Sequence, residues 1–209
     1  MRFLVLALLA IPAFAVPARL LFTKSFPGSV PAYVWLAVDR NGGLQYKESP
    51  TDEQPLKAQL KEGDAALLFS MAEKLNYFKE PLESGLKVAN TGKKTFRYED
   101  ESGAATESIF NYSLNETARQ LLDRFEQIAA TERAYIDLDR TSHFDKLGVN
   151  DSLAMIEALW VRKELAAPEQ FIPLLTHITA HQSYMHLVRE RAARLKDEFL
   201  AGPVAEAPK

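Results

Sequence analysis

Apolar residues recur with two different periods along this chain, and the periods change at turn signals. Residues 32–39 (AYVWLAVD) are rich in aromatic and β-branched side chains, and residues 44–48 (LQYKE) alternate between apolar and polar. The Asn-Gly pair at 41–42 tolerates the positive φ that a tight hairpin turn needs. The pattern predicts a first β-hairpin, with a short third strand in residues 56–60, where the alternation returns.

A helix and a second hairpin follow. Residues 64–75 carry leucines and a methionine at helical spacing. Residues 95–98 and 108–112 are rich in β-formers and flank a turn-forming cluster at 99–103. Asn115 is a favourable N-cap for the long amphipathic helix that the next apolar positions predict.

Beyond residue 150 the chain shows only the helical period. We expect helices over 150–165, from Pro168 onward, and over 183–200, since proline fits the first turn of a helix. The predicted fold class is α+β: two β-hairpins form an antiparallel sheet with helices on one face, followed by an all-helical C-terminal cap.

The first residues have the three-part pattern of a secretory signal peptide. Arg2 is positive, residues 3–11 are an unbroken apolar run, and Ala13 and Ala15 are the small residues that a signal peptidase recognises. A nine-residue apolar helix rises about 14 Å, roughly half of the hydrocarbon core of a bilayer. We therefore expect a cleaved segment rather than a membrane span, with cleavage after Ala15 or Ala18.

The expected organisation is a signal peptide over 1–18, an α+β domain over 28–132, a helical extension over 133–200 and a disordered tail over 201–209. No other stretch approaches the roughly 18 apolar residues that a span needs. The mature protein is therefore expected to be soluble, and secreted or periplasmic.

Composition narrows the possible functions. The chain is 47% hydrophobic and 25% charged, which is typical of globular domains, and its net charge of -3 offers no basic excess for nucleic acid. It contains no cysteine, which excludes disulfides, a thiol nucleophile and a zinc–thiolate site.

Two histidines are the nearest approach to a metal motif. His177 and His181 are four residues apart, a spacing that places both on one face of a helix, but the glutamate of the metalloprotease motif is missing between them. They are weak metal candidates, and no metal site, cofactor or catalytic residue is predicted. A catalytic site assembled only in three dimensions would draw on them together with His143, Asp139 and Asp145.

The candidate binding residues are aromatic. Tyr33 and Trp35 share strand parity, as a platform for a sugar ring requires, and Tyr46 lies on the neighbouring predicted strand. We expect Trp160 in the core, and for Trp35 a core position is favoured over the platform. The arginines of the last helix offer either a solvated face or a docking surface for an acidic partner; they are Arg189, Arg191 and Arg194.

One set of positions follows a hairpin–helix–hairpin–helix order: 33–39 with Gly42 and Gly43, 75–78, 95–98, 109–112, and Leu121 with Leu122. On these positions, residues 30–130 resemble exported bacterial domains of unknown function, and the resemblance implies no catalytic residues. Residues 173–175 and 186–193 make the helical tail similar to a single HEAT-like helical pair.

Taken together, these patterns favour an exported, soluble, non-catalytic binding or accessory protein of the bacterial cell envelope. Its expected partner is a protein or a glycan, not nucleic acid. The alternative is a metal- or carboxylate-dependent hydrolase whose site forms only in three dimensions, so enzymatic activity stays open.

Overall fold

The computed structural model describes residues 17–202. The expected signal peptide, up to residue 16, and the expected tail from residue 203 lie outside this range. The strands are β1 (Arg19–Ser25), β2 (Tyr33–Asp39), β3 (Gly43–Lys47), β4 (Leu56–Gln59), β5 (Lys93–Glu99) and β6 (Ala105–Phe110). The α-helices are α1 (Glu62–Lys74), α2 (Glu116–Phe144), α3 (Val149–Val161), α4 (Ile172–Ala180) and α5 (His186–Ala201), with short 3₁₀ turns at Asn76–Phe78 and Pro168–Phe171.

The six strands form one antiparallel sheet in the order β4-β3-β2-β1-β5-β6. The two predicted hairpins are present, but they are joined by β1, which pairs with both β2 and β5. This strand lies ahead of residue 28, where we expected the α+β domain to begin. The sequence of β1 does not alternate between apolar and polar residues, because three consecutive residues, Leu20, Leu21 and Phe22, are all buried in the centre of the sheet.

Helices α1 and α2 pack on one face of this sheet. Phe22, Leu36 and Phe96 point to that face from three neighbouring strands and are almost completely buried. The opposite face carries Thr23 and Trp35, which lie side by side and are half-buried. The predicted fold class is confirmed: an antiparallel sheet with helices, followed by an all-helical C-terminal part.

Helix α2 connects the two parts. It begins as predicted, because the Asn115 side chain accepts a hydrogen bond from the backbone N–H of Ala118 at 3.1 Å. It then runs without a break through residues 132 and 133, where we expected the α+β domain to give way to the helical extension. At that point the hydrophobic core changes from one cluster to another.

We call these clusters the sheet core and the helical core. The sheet core lies between the sheet, α1 and the first half of α2, and includes Phe22, Phe96 and Phe125. The helical core lies among the second half of α2, α3, α4 and α5, and includes Leu138 and Leu195.

Candidate functional site

A cleft of about 830 Å³ lies where the sheet part and the helical part meet. We call it the interhelical cleft. It is bounded by α1, by the middle of α2, by the end of α3 with the segment that follows, and by the end of α5. Its lining is mostly apolar and includes Leu60, Leu67, Leu68, Ile128, Trp160, Val161, Leu165, Ala166, Ala167 and Pro168.

Apolar side chains reach solvent inside this cleft. Val161 is 74% exposed and Leu67 is 38% exposed, although both sit beside buried core residues. Trp160 packs edge-on against Phe199 of the helical core, with ring centroids 4.9 Å apart, and is half-buried. The cleft therefore offers an apolar surface whose floor is continuous with the packed interior.

The segment after α3 forms one wall of the cleft. It turns sharply at Lys163 and Ala167, which both adopt positive φ (59° and 45°). Two contacts hold it to α2: the Ala166 N–H donates to Thr131 Oγ1 at 2.9 Å, and Gln170 Nε2 donates to a Glu132 oxygen at 3.0 Å. The position of this wall therefore depends on polar groups buried in α2.

Charged side chains line the rim of the cleft. Lys61 is ion-paired with Glu169 across the cleft wall at 2.7 Å. Arg124 donates to its helical neighbour Gln127 at 3.2 Å, and Asp64 lies in the first turn of α1. The charges of both signs are spread around an apolar interior, and small-molecule sites commonly have such a lining.

Glu132 is the most unusual ionisable group near the cleft. Its side chain is fully buried, one carboxyl oxygen accepts the bond from Gln170, and the other has no hydrogen-bond partner among the described residues. Burial raises the pKa of Glu132 to about 7, and the hydrogen bond from Gln170 opposes that rise. The sequence contained a signal for it, because residue 132 continues the apolar stripe of α2 at 121, 125 and 128.

The structure does not bring the three predicted aromatic binding residues onto one face. Tyr33 and Trp35 share the open face of the sheet, where the Lys47 ammonium lies 4.8 Å from the Trp35 ring centroid. Tyr46 pairs with Leu36 on the opposite face, is 1% exposed, and donates to Glu48 at 2.8 Å. Strand β3 is in a register that turns Tyr46 into the sheet core, so a platform of all three is excluded.

The histidine and aspartate candidates lie on the outer surface of the helical part. The imidazoles of His177 and His181 have ring centroids 4.1 Å apart, although His181 has already left helix α4. Partial burial and the nearby imidazoles of His181 and His143 lower the pKa of His177. His143 Nδ1 lies 3.6 Å from Asp139, and Asp145 accepts from the backbone N–H of Gly148.

Asp139, His143 and Asp145 lie at the end of α2, and His177 and His181 lie at the end of α4. None of the five lines the interhelical cleft. Within residues 17–202, no group of three or more His, Asp or Glu side chains is arranged to hold a metal ion. Among these five candidates, within the described residues, only His177 and His181 have side-chain rings in contact with each other.

A second, polar cleft of about 550 Å³ lies at the N-terminal end of α2. Lys94 is buried there, and its ammonium donates to the carbonyl oxygens of Gly92 and Asn111, among others. Burial lowers the pKa of Lys94. Lys24 is ion-paired with Glu126 at 2.7 Å, so the charges of this cleft are used to hold the chain together.

Two of the three candidate arginines of α5, Arg191 and Arg194, are engaged within the fold, whereas the buried Nε of Arg189 has no hydrogen-bond partner among residues 17–202. Arg191 donates to the Asn150 side chain at 2.7 Å, and Arg194 is ion-paired with Glu157 at 2.6 Å. These contacts dock α5 on α3, which leaves less of the basic face for an acidic partner.

No family model, curated protein or solved structure matches this chain. None of the helices in the part of the chain described here combines the length and apolar character that a membrane span requires.

Proposed function

We propose that this chain is an exported, non-catalytic binding protein of the bacterial cell envelope, and that its interhelical cleft takes ligands with an apolar body. The observation that carries the proposal is the lining of the cleft. Trp160, Val161 and Leu67 present apolar surface to an opening of about 830 Å³, a volume within the range of small-molecule sites.

The chemistry of the cleft supports binding over catalysis. Acid–base catalysis needs titratable groups that converge on one reacting atom. Here Lys61 is held by Glu169 on the rim, while the interior is made of aliphatic and aromatic side chains. Burial of apolar surface then supplies the affinity, at roughly 25 cal/mol per Å² removed from water.

The cellular location is proposed on the sequence pattern of residues 1–18 and on the resemblance of residues 30–130 to exported bacterial domains of unknown function.

The cleft can be tested with its own tryptophan. The chain has two tryptophans, so Trp35→Phe leaves Trp160 as the single reporter. Dodecanol, an uncharged apolar chain, is titrated below its solubility limit while Trp160 fluorescence is followed. We expect a saturable change, and at least tenfold weaker binding when Leu67→Glu places a charge on the wall.

Leu187→Glu is the matched control. Leu187 lies on α5, is 62% exposed, and is not part of the cleft lining, so the same substitution there should leave dodecanol binding unchanged. A titration with no saturable change, or an equal loss in both leucine variants, would reject the proposed function.

A further inference from the structure

Glu132 is placed to control the wall of the interhelical cleft. Its bonded oxygen receives the Gln170 side chain, and Gln170 belongs to the Pro168–Phe171 turn. Pro168, in the same turn, lines the cleft. A change at the Glu132 carboxyl therefore acts on the cleft through a single intervening side chain.

Among the residues that the structure describes, no positive charge is paired with the Glu132 carboxyl. The titratable groups that face it are two phenols, Tyr46 of β3 and Tyr135 of α2. Its neighbour Arg133 is directed to Glu48 and Asp137, at 3.5 and 3.7 Å.

The turn itself contributes no cation either. Gln170 is neutral, and Glu169 is directed to Lys61. Across residues 17–202, no ion pair involves Glu132, and its second oxygen is buried without a partner.

We propose that Glu132 is a proton-operated latch for the interhelical cleft: its neutral carboxyl holds the Pro168–Phe171 turn against α2, and its ionisation releases that turn. The ligand-binding consequence rests on the proposed function of the cleft. The physical cause is desolvation, because a buried carboxylate without a cation is strongly unfavourable until water reaches it. Water can reach Glu132 only if the surrounding elements separate, and the turn is the shortest of them.

The direction of the pH effect follows from the raised pKa of about 7, against an ordinary value of 4.5. Below pH 4.5 the carboxyl is neutral in both folded and unfolded chains, so its contribution to stability is complete. Between these two values the folded chain keeps a proton that the unfolded chain has lost. The contribution of Glu132 to stability therefore decreases as pH rises to about 7, by at most tenfold in the unfolding equilibrium constant per pH unit.

The test measures dodecanol affinity from pH 6 to pH 8 in the Trp35→Phe background. Dodecanol does not titrate in this range, so any change belongs to the protein. We expect the dissociation constant to rise about tenfold, the limit for one proton with a pKa near 7. Glu132→Gln keeps an acceptor for Gln170 but cannot ionise, and should abolish this dependence, while Glu73→Gln on the exposed surface of α1 should retain it.

A second readout separates the latch from the proposed function. The Ala166 amide, bonded to Thr131, should lose hydrogen-exchange protection above pH 7 in the parent and not in Glu132→Gln, after correction for intrinsic rates. If dodecanol does not bind at any pH, the proposed function fails and exchange alone decides the latch. If either pH profile is the same in the parent and in Glu132→Gln, the latch is overturned.

Gln170→Leu covers the case in which Glu132→Gln does not fold. Removing this donor takes away the contact through which Glu132 holds the turn, so the protection of the Ala166 amide should lose its dependence on pH. A pH profile unchanged from that of the parent would overturn the latch.

Discussion

The two halves of α2 belong to two cores that are built in different ways. The first half packs on a sheet whose central strand, β1, pairs with strands from both hairpins, so the sheet core joins distant parts of the sequence. The second half packs on α3, α4 and α5, which follow it directly along the chain. One continuous helix therefore couples a core of long-range contacts to a core of nearly sequential ones.

The buried polar side chains of α2 that hold the cleft wall lie at the junction of the two cores. Within the sheet core and the helical core, side chains are close-packed and apolar. Between them, α2 carries Thr131 and Glu132, both fully buried, and these two residues bind the segment that walls the interhelical cleft. The junction thus combines buried polar groups of α2 with an open, mostly apolar cleft.

The largest expected effect is on the sheet core. Phe96 is fully buried, and its ring lies 5.0 to 5.9 Å from those of Phe22, Phe78, Phe110 and Phe125. Phe96→Ala should lower the free energy of unfolding by about 3–5 kcal/mol, measured by urea denaturation. Phe144→Ala, at an 86% exposed position, should change it by less than about 0.5 kcal/mol. Similar losses at both positions would contradict the described packing.

A somewhat smaller effect is expected in the helical core, where Leu195→Ala should cost about 2–4 kcal/mol. Leu195 is fully buried, and Leu187 on the same helix, which is 62% exposed, provides the control.

Because α2 belongs to both cores, the loss of stability in Leu195→Ala should appear in both parts of the molecule. Single-tryptophan variants that retain either Trp35 in the sheet or Trp160 in the helical part should report the same urea midpoint; separate midpoints would show that the two cores unfold independently.

The same contrast explains what the sequence could predict. The hairpins have clear turn signals, and Asn115 and the apolar stripe of α2 mark a helix without ambiguity, so the α+β class followed from local patterns. Strand β1 did not, because its residues 20–22 are buried on both faces and show no alternation. A strand of that kind can be recognised only from the strands that pair with it, and the local hydrophobic pattern carries no information about those partners.

The candidate site was harder to predict for a related reason. The interhelical cleft is formed by residues from four separate segments, and its apolar side chains look like core positions in sequence; Trp160 was expected to be one. Tyr46 was misplaced because hairpin register decides which face it occupies. Glu132 could have been found, since a glutamate in the apolar stripe of an amphipathic helix is an exception that needs an explanation.

The smallest expected effect concerns the ion pair that bridges the cleft wall. Lys61, just before α1, meets Glu169 of the Pro168–Phe171 turn at 2.7 Å, but the side chains are 56% and 46% exposed. Solvent screens such pairs, so a double-mutant cycle of Lys61→Ala and Glu169→Ala should give a coupling of about 0.2–1 kcal/mol that decreases in 1 M NaCl. The pair Arg119 and Glu116 lies within α2 and serves as the comparison, because it joins no two segments. A Lys61–Glu169 coupling above 2 kcal/mol that did not decrease in salt would contradict this prediction. The cleft wall would then be held mainly by this ion pair rather than by the buried contacts of Thr131 and Glu132. In that case α2 would not be the main connection between the two cores.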